Sequence, residues 1–90
     1  MLFRMLRSGR VDTFGERMRR ARSEGSRRGR HEAKLFRLAV GKTVDRAKAL
    51  DWLNTVVDEG RAELAAQHAH EREIEAWDMS CRVAFLLEIV

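Results

Sequence analysis

Apolar residues along this chain recur at intervals of three and four and never alternate with polar ones for long enough to build a strand, so the pattern predicts helices throughout. Asp12 or Thr13 is placed to cap a first helix reaching about Ser23, and Glu16, three residues after Thr13, completes a capping box. The stretch Ser23-Glu-Gly-Ser-Arg-Arg-Gly-Arg30 sets two glycines and two serines among charges, which reads as a break or flexible connection. A second helix is expected from His31 to Val40, with Leu35, Phe36, Leu38 and Ala39 on its buried side and Gly41 as its stop. Thr43 then opens the longest helical stretch, its hydroxyl accepting from first-turn amides and Asp45 favouring the positive end of the helix. Leu50, Leu53, Val57, Gly60 and Leu64 follow at alternating spacings of three and four, which places them on one face. Gly60 costs about 1 kcal/mol relative to alanine inside a helix, so it marks either a close crossing or an end. The seam fades across the polar run Gln67-His-Ala-His-Glu-Arg-Glu73, and a second apolar face of Ile74, Trp77, Cys81, Ala84 and Phe85 starts beyond it. Two cores, or one core plus a docking surface, joined by a solvated helical stretch, are expected. The fold class is all-α: a small three-helix arrangement with a long C-terminal helical region and no sheet.

Length narrows this picture to one domain over 1–90, with a basic N-terminal arm or helix over 1–30 and a helical body over 31–90. A chain of 90 residues buries only about 60% of the surface its unfolded form exposes, so marginal stability is expected, with helix packing or a partner left to hold the fold together. A single cysteine, Cys81, excludes an intrachain disulfide and a cysteine-rich tetrahedral zinc site. Its apolar neighbours Met79, Val83 and Ala84 predict a buried, unreactive thiol. The most apolar run, Val83 to Val90, holds Glu88 and is far shorter than the roughly 20 residues a membrane span needs. No transmembrane span is expected.

Charge changes the picture more. Residues 1–30 carry ten arginines against three acids, whereas residues 31–90 carry eight basic residues against eleven acids. A basic lead before an acidic helical body points to an anionic partner. Arg17, Arg19, Arg20, Arg22, Arg27, Arg28 and Arg30 are the densest part of that lead, and guanidinium groups prefer phosphate or carboxylate forks. No aromatic residue is interleaved among them for base stacking, although Arg28-Gly29-Arg30 resembles the core of a minor-groove hook. Met1 to Val11, with three arginines, a serine, no acid and apolar Leu2, Phe3, Met5 and Leu6, reads as a short mitochondrial targeting segment or as an ordinary amphipathic turn.

Other motifs carry less chemistry. Gly41-Lys42-Thr43 has the ending of a phosphate-binding loop, but position 36, where that loop needs glycine, is Phe. His68 with Glu71, and His70 with Glu73, lie one turn apart on a helix, yet a pair is short of the three or four ligands of a zinc site. No nucleophile and base are spaced for covalent catalysis. Neither a catalytic residue nor a metal or other cofactor is expected.

Leu2-Phe3-Arg4, followed by Leu6-Arg7 and then Phe14, resembles the Leu-Tyr-Arg motif that opens the first helix of mitochondrial LYR-motif proteins, the complex I LYR-like adaptors. Phe3 stands where that motif has tyrosine, and Gly9, Gly25 and Gly29 interrupt the helices the family would have. The segment Arg17 to Arg30 is similar to the family's arginine-rich second helix and Ala47 to Leu64 to its third, so the likeness spans about residues 2–70. It implies a three-helix adaptor that binds an acidic acyl carrier protein through arginines and admits the acyl chain between its helices. By this resemblance Leu2, Phe3, Arg4 and Phe14 are motif residues, and Arg17, Arg19, Arg20 and Arg22 meet the carrier.

These readings converge on a non-catalytic accessory or adaptor subunit of a larger, mitochondrial assembly, such as a respiratory complex or its assembly machinery, with a cytoplasmic setting otherwise. The N-terminal arginines meet other protein subunits of the complex, an acyl carrier protein among them, and Trp77, Phe85, Leu86 and Ile89 bury against a neighbour. The alternative is a small basic protein associated with nucleic acid, a ribosomal or mobile-element accessory factor.

Overall fold

The structure, a computed structural model, describes residues 13–89. Among them the chain folds into three helices and no strand: α1 over Phe14–Val40, α2 over Arg46–Ala66 and α3 over Glu71–Ile89. Thr13 caps α1 through the expected box, its hydroxyl accepting from the Glu16 amide at 3.0 Å while the Glu16 carboxylate accepts from the Thr13 amide at 2.8 Å. Gly41 closes the helix at φ 78°, a left-handed conformation that glycine adopts freely.

Between those caps α1 does not break. The tract Ser23 to Arg30 is helical throughout, so the division expected at residue 30 falls inside one continuous helix. Gly25 and Gly29 belong to a row of small residues, Ala21, Gly25, Gly29 and Ala33, that recurs every fourth position and is buried along its length. Helix α3 lies on this row. A Cβ at Gly25 would meet the Trp77 carbonyl oxygen and one at Gly29 the Cys81 carbonyl oxygen, so both glycines are replaceable only by moving backbone. Phe14 meets His70, Arg17 meets Glu73, and Arg37 donates to the Glu88 carbonyl, which fixes α1 and α3 as parallel neighbours. Helix α2 runs back between their ends, antiparallel to both: Trp52 Nε1 donates to Glu32 at 2.9 Å, and Arg61 donates to Asp78 at 2.6 Å.

The unbroken helix also resets which apolar residues are inside. Phe36 continues the buried row at 1% exposed, whereas Leu38 points to solvent at 81%, and Leu35 and Ala39 are exposed as well. Thr43 does not cap α2. Asp45 does, accepting from the amides of Ala47 and Lys48 at 2.9 and 3.4 Å. Leu53, Val57 and Gly60 face inward as the spacing predicts; Leu64 is half-buried and Leu50 exposed. Gly60 marks a close crossing, because the Trp77 ring occupies the space its Cβ would fill. The polar run does interrupt the chain: α2 ends at Ala66, and His68, at φ 61°, turns it, with the Ala69 amide donating to the Leu64 carbonyl at 3.0 Å. Phe36, Leu53, Val57, Trp77, Cys81 and Phe85 share one cluster, so the described residues hold a single core and not two.

Candidate docking surface

Arginines of α1 sort into two groups by what they touch. Arg28 lies against its own bundle, with Nε donating to Glu32 at 3.0 Å and the guanidinium 3.8 and 4.0 Å from Glu59 and Glu63. Arg17 donates to Glu73 at 3.3 Å and lies over the Phe14 ring at 5.8 Å. These two arginines hold α1 to its neighbours. With Gly29 buried against α3 and Arg28 engaged internally, Arg28-Gly29-Arg30 does not present a hook to a groove.

Arg19, Arg20, Arg27, Arg30 and Lys34 are exposed along α1, with Arg19 and Arg27 opposite the small-residue row and Arg30 at its edge toward α3. Arg22 is also exposed, on the row shared with Ser26 and Arg30. Among the described residues Arg19, Arg22, Arg27 and Arg30 make no ion pair. Of the arginines read from sequence as contacts, Arg19, Arg20 and Arg22 are exposed, and Arg17 is half-buried beside Glu73. Phe14 sits at the start of α1 with its ring edge-on to His70, 5.3 Å between centroids. Leu2, Phe3 and Arg4, the segment over residues 1–11, and Asp12 as a cap lie outside the described residues.

The apolar interface set divides as well. Trp77 is 5% exposed and Phe85 fully buried, so both are corrected from docking residues to core. Leu86 stays at the surface, and Ile89 is half-buried, bordering with Val44, Ala49 and Leu50 an apolar groove of about 520 Å³. Met79, Val83 and Leu87, 68, 51 and 73% exposed, form the larger apolar surface of α3 and were not read from sequence. The signal was present: once Trp77, Cys81, Ala84 and Phe85 are assigned inward, every remaining apolar residue of that stretch must face elsewhere.

In comparison with known proteins, no family model, no curated protein and no solved structure matches this chain.

Polar contacts within the bundle tie the helix starts and turns together. His70 starts α3: its Nδ1 accepts from the Arg72 amide at 3.0 Å, and the Glu73 carboxylate accepts from the His70 amide at 3.1 Å. His68 serves the turn. Among the described residues no group of three or more histidine, cysteine or acidic side chains is placed to hold a metal ion, and no helix is long and apolar enough to cross a membrane. Asp78 bridges Arg61 on α2 and Arg82 on α3, both at 2.6 Å, and Arg82 also donates to Asn54 at 3.0 Å.

Burial pushes the Cys81 thiol up from 9.0 to about 11, outweighing the opposing pull of Arg28. A thiol with so little thiolate is a poor nucleophile. Since the folded value lies above the unfolded one, this group's contribution to stability is complete below about pH 9 and is lost as pH rises toward about 11. Ellman's reagent at pH 8 is expected to leave the folded protein unlabelled and to titrate one thiol in denaturant. Rapid labelling without denaturant would show an open thiol.

Proposed function

We propose that this chain is a non-catalytic adaptor subunit of a larger mitochondrial protein assembly, which it joins by setting the arginine side of α1 against an acidic partner. The observation that carries this reading is the row of exposed cations on α1. Arg28, Arg61 and Arg82 are paired within the bundle, while Arg19, Arg22, Arg27 and Arg30 reach solvent with no carboxylate among the described residues. Arginine forks are recognition groups for carboxylate and phosphate, and unpaired ones in a row make association fast and salt-sensitive. Exposed apolar residues on α3 supply a second contact area. An acyl carrier protein, the acidic partner implied by the resemblance over residues 2–70, suits this role in a respiratory complex or its assembly machinery.

The test is native mass spectrometry of the protein gently isolated from its own cells, as the natural chain and as Arg19→Glu/Arg27→Glu. Both positions are exposed, so the variant is expected to keep its helicity and its thermal midpoint within a few degrees. The natural chain should carry acidic protein subunits that dissociate with added salt, and the variant should lose them by at least about tenfold. Retention of the same subunits by the variant would overturn the reading. Nuclease-sensitive nucleic acid with no protein bound would replace it with the alternative of a nucleic-acid accessory factor.

A further inference from the structure

A helix apolar on all sides is ordinarily buried on all sides. Helix α3 breaks that expectation over its second half. Trp77, Cys81, Ala84 and Phe85 fill the core, yet Met79, Val83, Leu86 and Leu87 stand on the outside at 39–73% exposure. The outer residues also have a register. Met79, Val83 and Leu86 recur at spacings of four and three, the repeat that keeps one helix against another along its length. Beside them a groove of about 420 Å³ opens between α1 and α3, lined by Ser26, Arg30, Val83, Leu87 and Glu88. Such a depression receives a side chain from a facing helix.

The edges of this surface say what kind of helix fits. On the α1 edge Arg22 and Arg30, two turns apart, are exposed and unpaired among the described residues, against the single carboxylate of Glu88. On the α2 edge Asp78 is taken by Arg61 and Arg82, and Glu75 completes a set with no net charge. The surface is thus apolar in the middle, positive on one side and neutral on the other. A second copy of this chain does not answer that pattern. Antiparallel pairing would set the Arg22 and Arg30 row against its own counterpart, and parallel pairing would set it against the neutral edge.

From this pattern we infer that the outer face of α3 is a helix-docking seam, and that its occupant is an amphipathic helix of a partner protein whose apolar stripe is bordered by carboxylates on the side facing α1. This rests on the adaptor reading and adds to it the face, the mode and the chemistry of the partner. The partner's stripe packs on Met79, Val83 and Leu86, and its acidic border pairs with Arg22 and Arg30.

The probe is a designed heptad peptide with leucine on its apolar stripe and glutamate on both borders, used below the concentration at which it self-associates. Its counterpart carries lysine on the borders. Fluorescence anisotropy with the full chain at physiological ionic strength is expected to show the glutamate peptide binding at least about tenfold tighter than the lysine peptide. Val83→Glu and Met79→Glu, both at exposed positions, should each weaken the glutamate peptide by more than about tenfold with circular dichroism unchanged. Equal binding of the two peptides, binding of neither, or binding indifferent to both substitutions would overturn the inference. So would a homodimer in sedimentation, or attachment to phosphatidylglycerol vesicles, that Val83→Glu abolishes. Should Val83→Glu leave the native complex intact while Arg19→Glu/Arg27→Glu dissolves it, the seam fails and the adaptor reading stands.

Discussion

Replacing Gly25 and Gly29 together by alanine is expected to destabilise the protein by roughly 2–4 kcal/mol. Helix propensity alone predicts the opposite sign, since each exchange in a helix interior should stabilise by about 1 kcal/mol. Packing decides the matter. Each new methyl would fall on a backbone carbonyl of α3, Trp77 at one site and Cys81 at the other, with the Ala84 methyl also 3.0 Å from the added atom at Gly29. A carbonyl cannot rotate away as a long side chain can, so the helices must separate along the row from Ala21 to Ala33, loosening contacts that neither methyl touches. Because both substitutions widen one interface, the double variant should lose less than the sum of the singles. Urea unfolding followed by circular dichroism gives the three values. A double variant at least as stable as the natural chain would mean that α1 and α3 are not packed through these glycines.

Phe85→Ala should cost about 3–5 kcal/mol, a large part of the 5–15 kcal/mol that a domain of this kind holds in total. The ring is fully buried, 6.0 Å from Phe36 between centroids, and Phe36 in turn meets Trp52 edge-on at 5.4 Å. Its removal opens a void where all three helices meet. Leu87→Ala, two residues on, should stay within about 0.5 kcal/mol, because that side chain is 73% exposed. The pair of substitutions therefore tests the rotation of α3 about its axis. Similar losses at both positions would mean that the helix is turned from the orientation described.

The contrast between Phe85 and Leu87 shows what the linear pattern carried and what it did not. Capping was readable at Thr13 and Gly41 because a cap is a local hydrogen-bond problem with few solutions. The all-α class and the inward face of α2 through Leu53, Val57 and Gly60 were equally readable, since a repeat of three and four has one geometric meaning. Gly25 and Gly29 were misread because glycine weakens an isolated helix, and only a second helix lying on them turns that weakness into close approach. The spacing of four from Ala21 to Ala33 was the available clue. Leu38 was misplaced for a related reason: a helix begun at His31 has a free choice of phase, whereas one begun at Phe14 has its phase set by the row already buried. For the docking surface, the abundance of arginine was legible, but which arginines face outward was not. Arg17 and Arg28 differ from Arg19 and Arg27 in rotation about α1, and of the carboxylates that meet them Glu73 and Glu59 lie on helices far along the chain, with Glu32 four residues on in α1 itself.

The parallel pairing of α1 with α3 sets when α1 can pack during synthesis. Arg17 and Glu73 are 56 residues apart, and the two glycines of α1 find their partner only in Trp77 and Cys81. At about 5–20 residues per second, a ribosome takes roughly 3–11 s to travel that distance. During that interval α1 has left the synthesis site with its small-residue row uncovered, and α2 supplies little to cover it. Packing of α1 therefore waits until α3 has been made, and the later helix organises the earlier one. A nascent chain of this design depends on its abundant charge to stay dispersed while it waits.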